Sequence, residues 1–346
     1  MTAFARHLAG LIRADGPLRL DRFMGLANAQ YYATRDPLGA AGDFTTAPEV
    51  SQLFGEMIAL ALVDHWERSG APDRIRLVEL GPGRGTLMAD LLRAARVRPG
   101  FLAAAHVTLV ETSPALRARQ AAALAGAERL DWTEAFESVA ADAPLYLVAN
   151  EFFDALPIRQ FARVEGRWHE RFVGLDDGGA FRFLLSPALA PAESAGGDGI
   201  VEVNEAARAV AAAIGARLNS HGGLALAIDY GHARSAPGDT LQAVKAHRFA
   251  DPLAEPGEAD LTAHVDFVAL ARAAGATAHG PLTQGDWLRA LGIEARAAAL
   301  ARARPDRAET LASGLARLID PSGMGTLFKA MALTGPGGAS PAGFGS

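Results

Sequence analysis

Two stretches carry residues whose types and spacing could do chemistry. The first is VELGPGRGTL at residues 78–87, an apolar run that ends in a turn with glycines at 81, 83 and 85. The second is VANEFFDALP at residues 148–157, where Asn150, Glu151 and Asp154 follow directly on another apolar run. Charged groups left dry at a strand end are expensive, so these face either water or a polar ligand.

The glycine spacing sorts the ligands. A phosphate-cradling loop needs Lys and then Ser or Thr after its last glycine. Gly85 is followed directly by Thr86, so that reading fails. A dinucleotide turn needs G-x-G-x-x-G, and Thr86 stands where the third, helix-packing glycine should fall. A third ligand, S-adenosylmethionine, ends in an amino acid that carries both charges beside a sulfonium. E-x-G-x-G-x-G suits that zwitterion. Gly81, Pro82, Gly83 and Gly85 let the backbone approach, helix N-terminal amides can meet the carboxylate, and Glu79 can help hold the ammonium. A purely structural glycine turn is the competing reading.

Later strand ends add candidates. Glu111 closes VTLVE and could accept both ribose hydroxyls, or serve as an acid ahead of a helix starting at Ser113-Pro114. Asp131 could accept from an adenine amino group and Trp132 could cover the ring, although a core Trp is an equal competitor.

These residues need elements to hold them. Helical spacing covers residues 3–13 and 20–29, and Pro48-Glu49 opens a further helix. The middle alternates short apolar strands (75–80, 106–112, 128–132 and 144–153) with helices (86–97 and 113–126). That order implies right-handed crossovers and a parallel sheet with helices on both faces. After Asp154 the chain reads as a meander with a Glu165-Gly166 turn, a soft loop at 186–199, a helix at 205–220 and a strand at 222–231 ending in Asp229. Residues 245–265 are irregular, 266–318 helical, and 327–335 a last strand. The expected division is an N-terminal helical segment (1–70) covering the cofactor, a Rossmann-like core (71–245 with 321–335), a mostly helical substrate lid (246–320) and a disordered tail (336–346).

Composition narrows the function. The chain has 346 residues and a net charge of −6, which makes nucleic acid a poor partner. It has no cysteine, which excludes disulfides, thiolate metal sites and cysteine nucleophiles, and no metal is expected. No apolar run reaches the length of a membrane span. The N-terminal stretch is broken by Arg6, His7, Arg13 and Asp15, and a cytoplasmic protein is expected.

The set GDFTTAPEVSQLFGE, VELGPGRGTLMADLLR, VETSPALRARQ, ANEFFDALPIRQF, AIDYG, DTLQAVKAH, PGEADLTAHVDF, TQGDWL and MGTLFKAM resembles the MidA family. These are class I methyltransferases related to the mitochondrial arginine methyltransferase that assists complex I assembly. The resemblance runs from about residue 5 to 335, with the motifs in the family's order. It implies an α/β Rossmann-like class I sheet, S-adenosylmethionine as cofactor, and ω-N methylation of a protein arginine, on a subunit of NADH:quinone oxidoreductase. It assigns the cofactor to Gly81, Pro82, Gly83 and Gly85, to Glu111, and to Asn150 and Glu151. It also implies that Asp43, Phe44, Thr45 and Thr46 fold over the cofactor.

A guanidinium is a poor nucleophile because it is protonated and delocalised. Carboxylates that grip it can draw positive charge away from the attacking nitrogen. Glu151 and Asp154 are the candidates, with Asp229 and His264 for proton removal. Glu151 and Asp154 could instead only cap and solvate a strand-to-helix turn, and His264 could be a surface or packing residue. A small-molecule methyltransferase and a cofactor-binding assembly chaperone are the alternative functions.

Overall fold

The computed structural model describes residues 1–34, 45–187, 199–245 and 248–345. They fall into two units, each woven from separate pieces of chain. A sheet unit takes Thr45–Phe153, Val210–Ala233 and Asp266–Ser346, and a second unit takes Met1–Phe44, Asp154–Ala209 and Arg234–Val265. The chain therefore does not divide at 70, 245 and 320 as expected.

The sheet unit is built on β1 (Ile75–Leu80), β2 (Ala105–Val110), β3 (Leu130–Thr133), β4 (Leu145–Asn150), β5 (Gly223–His232), β6 (Thr277–Thr283) and β7 (Phe328–Thr334). Their order across the sheet is β6-β7-β5-β4-β1-β2-β3. From β3 to β5 every pairing is parallel. β7 runs antiparallel to both β5 and β6. Edge strand β3 is partly exposed, whereas the inner parallel strands β1, β2 and β4 are mostly buried, β4 along its whole length. Such strands are stable only under helices on both sides. The strand order reverses between β1 and β4, which is where open α/β sheets bind ligands.

Four helices in this unit matter for the site: α1 (Ala47–Val50), α2 (Gln52–Arg68), α3 (Thr86–Ala94) and α4 (Pro114–Ala123). Farther along come α5 (Gln284–Ala290), α6 (Ile293–Ala303) and α7 (Ala308–Ile319). Buried Glu56 on α2 ties three of these together. It accepts from Arg93 of α3 at 2.8 Å, Arg296 of α6 at 2.6 Å and Gln52 at 3.0 Å. Burial alone would raise its pKa, but the hydrogen bonds from Arg296 and Arg93 win and hold it below the ordinary value.

Two expectations in this unit are corrected. Residues 266–318 are not continuously helical, because Thr277–Thr283 forms edge strand β6. The tail is not disordered over its described part. Phe344 packs its ring 5.8 Å from that of fully buried Trp287, and Arg68 donates to the Ser340 carbonyl at 2.6 Å.

The second unit packs helices Ala3–Asp15 and Leu20–Thr34 around a core that includes Leu8, Phe23, Met24, Val173 and Leu261. Its larger sheet is antiparallel. Glu165 and Gly166, both at positive φ, turn the hairpin between Arg159–Val164 and Arg167–Leu175, as the sequence predicts. Within the stretch 245–265, read as irregular, Arg248–Ala250 and Asp260–Thr262 both pair with Gln242–Lys245 in a three-stranded sheet. Among the described residues, no helix is long and apolar enough to cross a membrane.

Candidate active site

The turn after β1 is set by three glycines in the left-handed region, with φ of +61° at Gly81, +54° at Gly83 and +83° at Gly85. L-residues with a Cβ adopt that conformation only at a cost. A Cβ on Gly81 would stand 3.1 Å from Phe152, and one on Gly85 would stand 3.3 Å from the Gln120 backbone. Gly85 thus lets the turn pack closely against α4, while position 86 is Thr86.

Glu79 lies inside the sheet, 3 % exposed, in register with Leu109 of β2 and Val148 of β4. Its Oε2 has no hydrogen-bond partner among the described residues. Burial pushes its carboxyl up to about 8, with a backbone hydrogen bond from Met88 acting against the rise.

At the end of β2, Glu111 is buried. Its Oε1 accepts from the Ser113 amide at 2.8 Å and its Oε2 from Gln120 at 3.2 Å. Burial raises its pKa against those two hydrogen bonds. Trp132 donates its indole N–H to Gln120 at 2.9 Å and so joins the same group. Asp131 does not. It is in register with Thr108, short of the end of β2, and its half-exposed carboxylate is held by His106 at 2.8 Å. Its expected adenine role is therefore withdrawn.

After β4 the chain turns sharply at Glu151, whose φ is +51°. A non-glycine residue held there is costly and persists only where its surroundings fix it. Here its amide donates to the Ile228 carbonyl at 2.9 Å, and its Oε1 accepts from the Ala47 amide and from Asn150, each at 3.1 Å. Asn150 is buried, and its Oδ1 has no partner among the described residues. Asp229, 0 % exposed, accepts from the amides of Phe152 at 3.2 Å, Phe153 at 3.0 Å and Tyr230 at 3.0 Å. Its carboxylate is committed to the backbone, so Asp229 positions the turn and the expected proton-accepting role is corrected.

Thr45 and Thr46 lead into α1, with Thr46 as its N-cap residue. Glu49 of α1 accepts from Thr86 at 2.5 Å and lies 3.8 Å from Arg84. Together with the Ala47–Glu151 bond, this fastens α1 to the turns after β1 and β4. Asp43 and Phe44 lie outside the described residues, as does most of the 186–199 loop.

Asp154 and His264 belong to the second unit. Asn28 there donates to the carbonyls of Ala155 at 3.0 Å and Leu261 at 2.8 Å. The Asp154 carbonyl accepts from the Ala263 amide at 3.0 Å. Tyr32 donates to Asp260 at 3.0 Å, and burial, then the charges of Asp260 and Asp154, push its phenol well above the usual value. His264 is half-buried and its amide donates to Thr240 at 2.9 Å. Sequence reading gives no site role to Asn28, Glu49 or Gln120, whose partners Leu261, Thr86 and Gly83 lie 233, 37 and 37 residues away.

The arrangement suits S-adenosylmethionine. A buried carboxyl oxygen and a buried amide oxygen are left without partners among the described residues, and Gly81 and Gly85 of the turn are closely approached by Phe152 and α4. The fold is that of the class I S-adenosylmethionine-dependent methyltransferases. A Burkholderia thailandensis protein crystallised with S-adenosyl-homocysteine superposes with a TM-score of 0.86 at 30% identity, over 99% of this chain and 94% of its own. Residues 57–282 match the family described as "Putative S-adenosyl-L-methionine-dependent methyltransferase", and the chain belongs to that family. It is similar to the mitochondrial protein arginine methyltransferase NDUFAF7 of Danio rerio, 36% identical over 94% of this chain and 85% of that protein. The Mus musculus protein of the same name is 37% identical over 96% and 84%. The Drosophila melanogaster homologue is 36% identical over 96% and 84%. These relatives are mitochondrial by name, so the expected cytoplasmic location is withdrawn. The protein is a methyltransferase that uses S-adenosylmethionine.

Proposed function

We propose that this methyltransferase acts on an arginine of a protein, and that the protein is a subunit of NADH:quinone oxidoreductase. The observation that carries the reading is Glu151, a carboxylate held in a strained turn at the end of β4, in a chain similar along nearly its whole length to protein arginine methyltransferases. When bound, S-adenosylmethionine supplies an electrophilic methyl on sulfur. Glu79 takes the ammonium, the 81–85 turn admits the amino-acid end, and Glu111 accepts the ribose hydroxyls. Trp132 lies toward the base, and Asn150 lines the site beside Glu151. Glu151 grips the guanidinium and draws its positive charge away from one nitrogen. That nitrogen would form its bond to the methyl as the methyl–sulfur bond breaks, with the bonding pair going to the neutral thioether and the displaced proton to water. Positioning dominates such a displacement, and Asp229 contributes by fixing the turn that carries Glu151.

The test uses purified protein, isotopically labelled S-adenosylmethionine and lysate from a strain lacking the protein. One labelled band containing methylarginine, absent with Glu151→Ala, is expected. Label on small molecules alone would favour a metabolite substrate. Tight cofactor binding with no transfer would favour an assembly chaperone. The same assay with Asp154→Asn and His264→Gln tests the roles expected of those two residues.

A further inference from the structure

We infer that Gln120 is a positioning residue for the cofactor site, holding the glycine turn, the Glu111 carboxylate and Trp132 in one register. It lies on α4 and is 0 % exposed. Its Nε2 donates to the Gly83 carbonyl at 2.7 Å and to Glu111 Oε2 at 3.2 Å, and its Oε1 accepts from Trp132 Nε1 at 2.9 Å. These partners follow β1, follow β2 and sit on β3, so one side chain reaches all three.

The orientation of this amide is fixed by its neighbours. A carbonyl and a carboxylate only accept, and an indole N–H only donates. Turning the amide over would set like groups against each other at all three contacts. No other side chain puts two donors and one acceptor on a single planar group of this length. Leucine would take this partner from the Gly83 carbonyl, from a buried Glu111 oxygen and from the Trp132 N–H. Ionised glutamate would lose both donors and set a second negative charge against Glu111. The reach also depends on Gly85, whose missing Cβ lets the α4 backbone close to the turn.

Glu111 is held from three sides. Its carbonyl accepts from Arg117 at 2.8 Å, its Oε1 from the Ser113 amide, and its Oε2 from Gln120. The first two fix the main chain and one oxygen. Gln120 alone of these connects the carboxylate to the glycine turn, and so sets where the ribose carboxylate points relative to the amino-acid end of the cofactor. This inference rests on the assignment of Glu111 to the ribose hydroxyls.

The experiment measures S-adenosyl-homocysteine affinity by calorimetry on the full-length protein. The variants are Gln120→Leu, Gln120→Glu, Glu111→Ala and the double variant Glu111→Ala/Gln120→Leu. Gln120→Leu is expected to raise Kd at least about tenfold. In the Glu111→Ala background the same change is expected to cost about threefold or less, because the carboxylate that Gln120 ties to the glycine turn is gone and only the Gly83 and Trp132 contacts remain. A Kd within twofold of wild type for Gln120→Leu overturns the inference. So does a tenfold loss that persists undiminished in the double variant, since Gln120 would then act without Glu111. If Gln120→Leu does not fold, Gln120→Glu keeps the shape and the acceptor for Trp132, and carries the same cycle. Failure of the wild-type protein to bind S-adenosyl-homocysteine would instead overturn the reading of the cofactor site.

Discussion

Glu79 is a carboxyl that the fold keeps protonated. Its folded pKa of about 8 stands against an ordinary 4.5. Between those values the unfolded chain gives up a proton that the folded chain keeps. Raising the pH through that window therefore favours unfolding, and the effect levels off above about 8. An ammonium brought beside Glu79 would favour its ionised form. Cofactor binding at pH 7 is then expected to release a proton, seen as a calorimetric enthalpy that differs between phosphate and Tris buffers. With Glu79→Gln the difference should vanish, and the decline in melting temperature from pH 4.5 to 8 should flatten. A wild-type enthalpy that does not depend on the buffer would sink this account. At this scale the sequence was partly legible. Glu79, Glu111 and Glu151 could be picked out because acids at strand ends are rare in apolar runs. Asp229 looked the same, yet it accepts from three backbone amides, two of them from the turn after β4, 76 and 77 residues away, and one from Tyr230 beside it.

At the scale of elements, α2, α3 and α6 meet on Glu56. Its lowered pKa means that it contributes stability above the unfolded value of 4.5, and that this is lost as pH falls through its folded value. Glu56→Gln is expected to lower stability by about 1–3 kcal/mol at neutral pH, since the arginines are partly exposed and remain solvated. It should also remove part of the acid sensitivity. Denaturant midpoints at pH 7 and pH 4 check both, and a shift that is equal at the two pH values would contradict the ion-pair account. The inner parallel strands were legible here because they are short, mostly apolar and separated by helices. β6 was not. TAHGPLT mixes polar residues with Gly-Pro, and an edge strand half open to water needs no apolar run. The tail was misread for a related reason. Its glycine-rich composition points to disorder, while one aromatic, Phe344, finds a buried ring to cover.

At the scale of the molecule, each unit is assembled from three stretches of chain. Sequence boundaries drawn along the chain could not capture this, because composition is read in order and packing is not. The alternation of strands and helices stated the sheet class; only long-range pairing states which pieces leave the sheet and where they go. The order of the sheet also bears on how the protein is made. β7, at residues 328–334, follows every other strand of the sheet in the chain, yet it lies inside the sheet between β5 and β6. A ribosome that has delivered everything up to residue 327 has delivered a β5 with an open edge and a β6 with no neighbour. Open edges of this kind recruit other chains. A stop codon at position 328 is expected to yield insoluble protein, whereas one at 336 should yield a soluble protein that melts a few degrees early. Recovery of soluble, cofactor-binding protein from the first would contradict the prediction. Until those last residues emerge, the nascent chain depends on whatever shields its unfinished sheet.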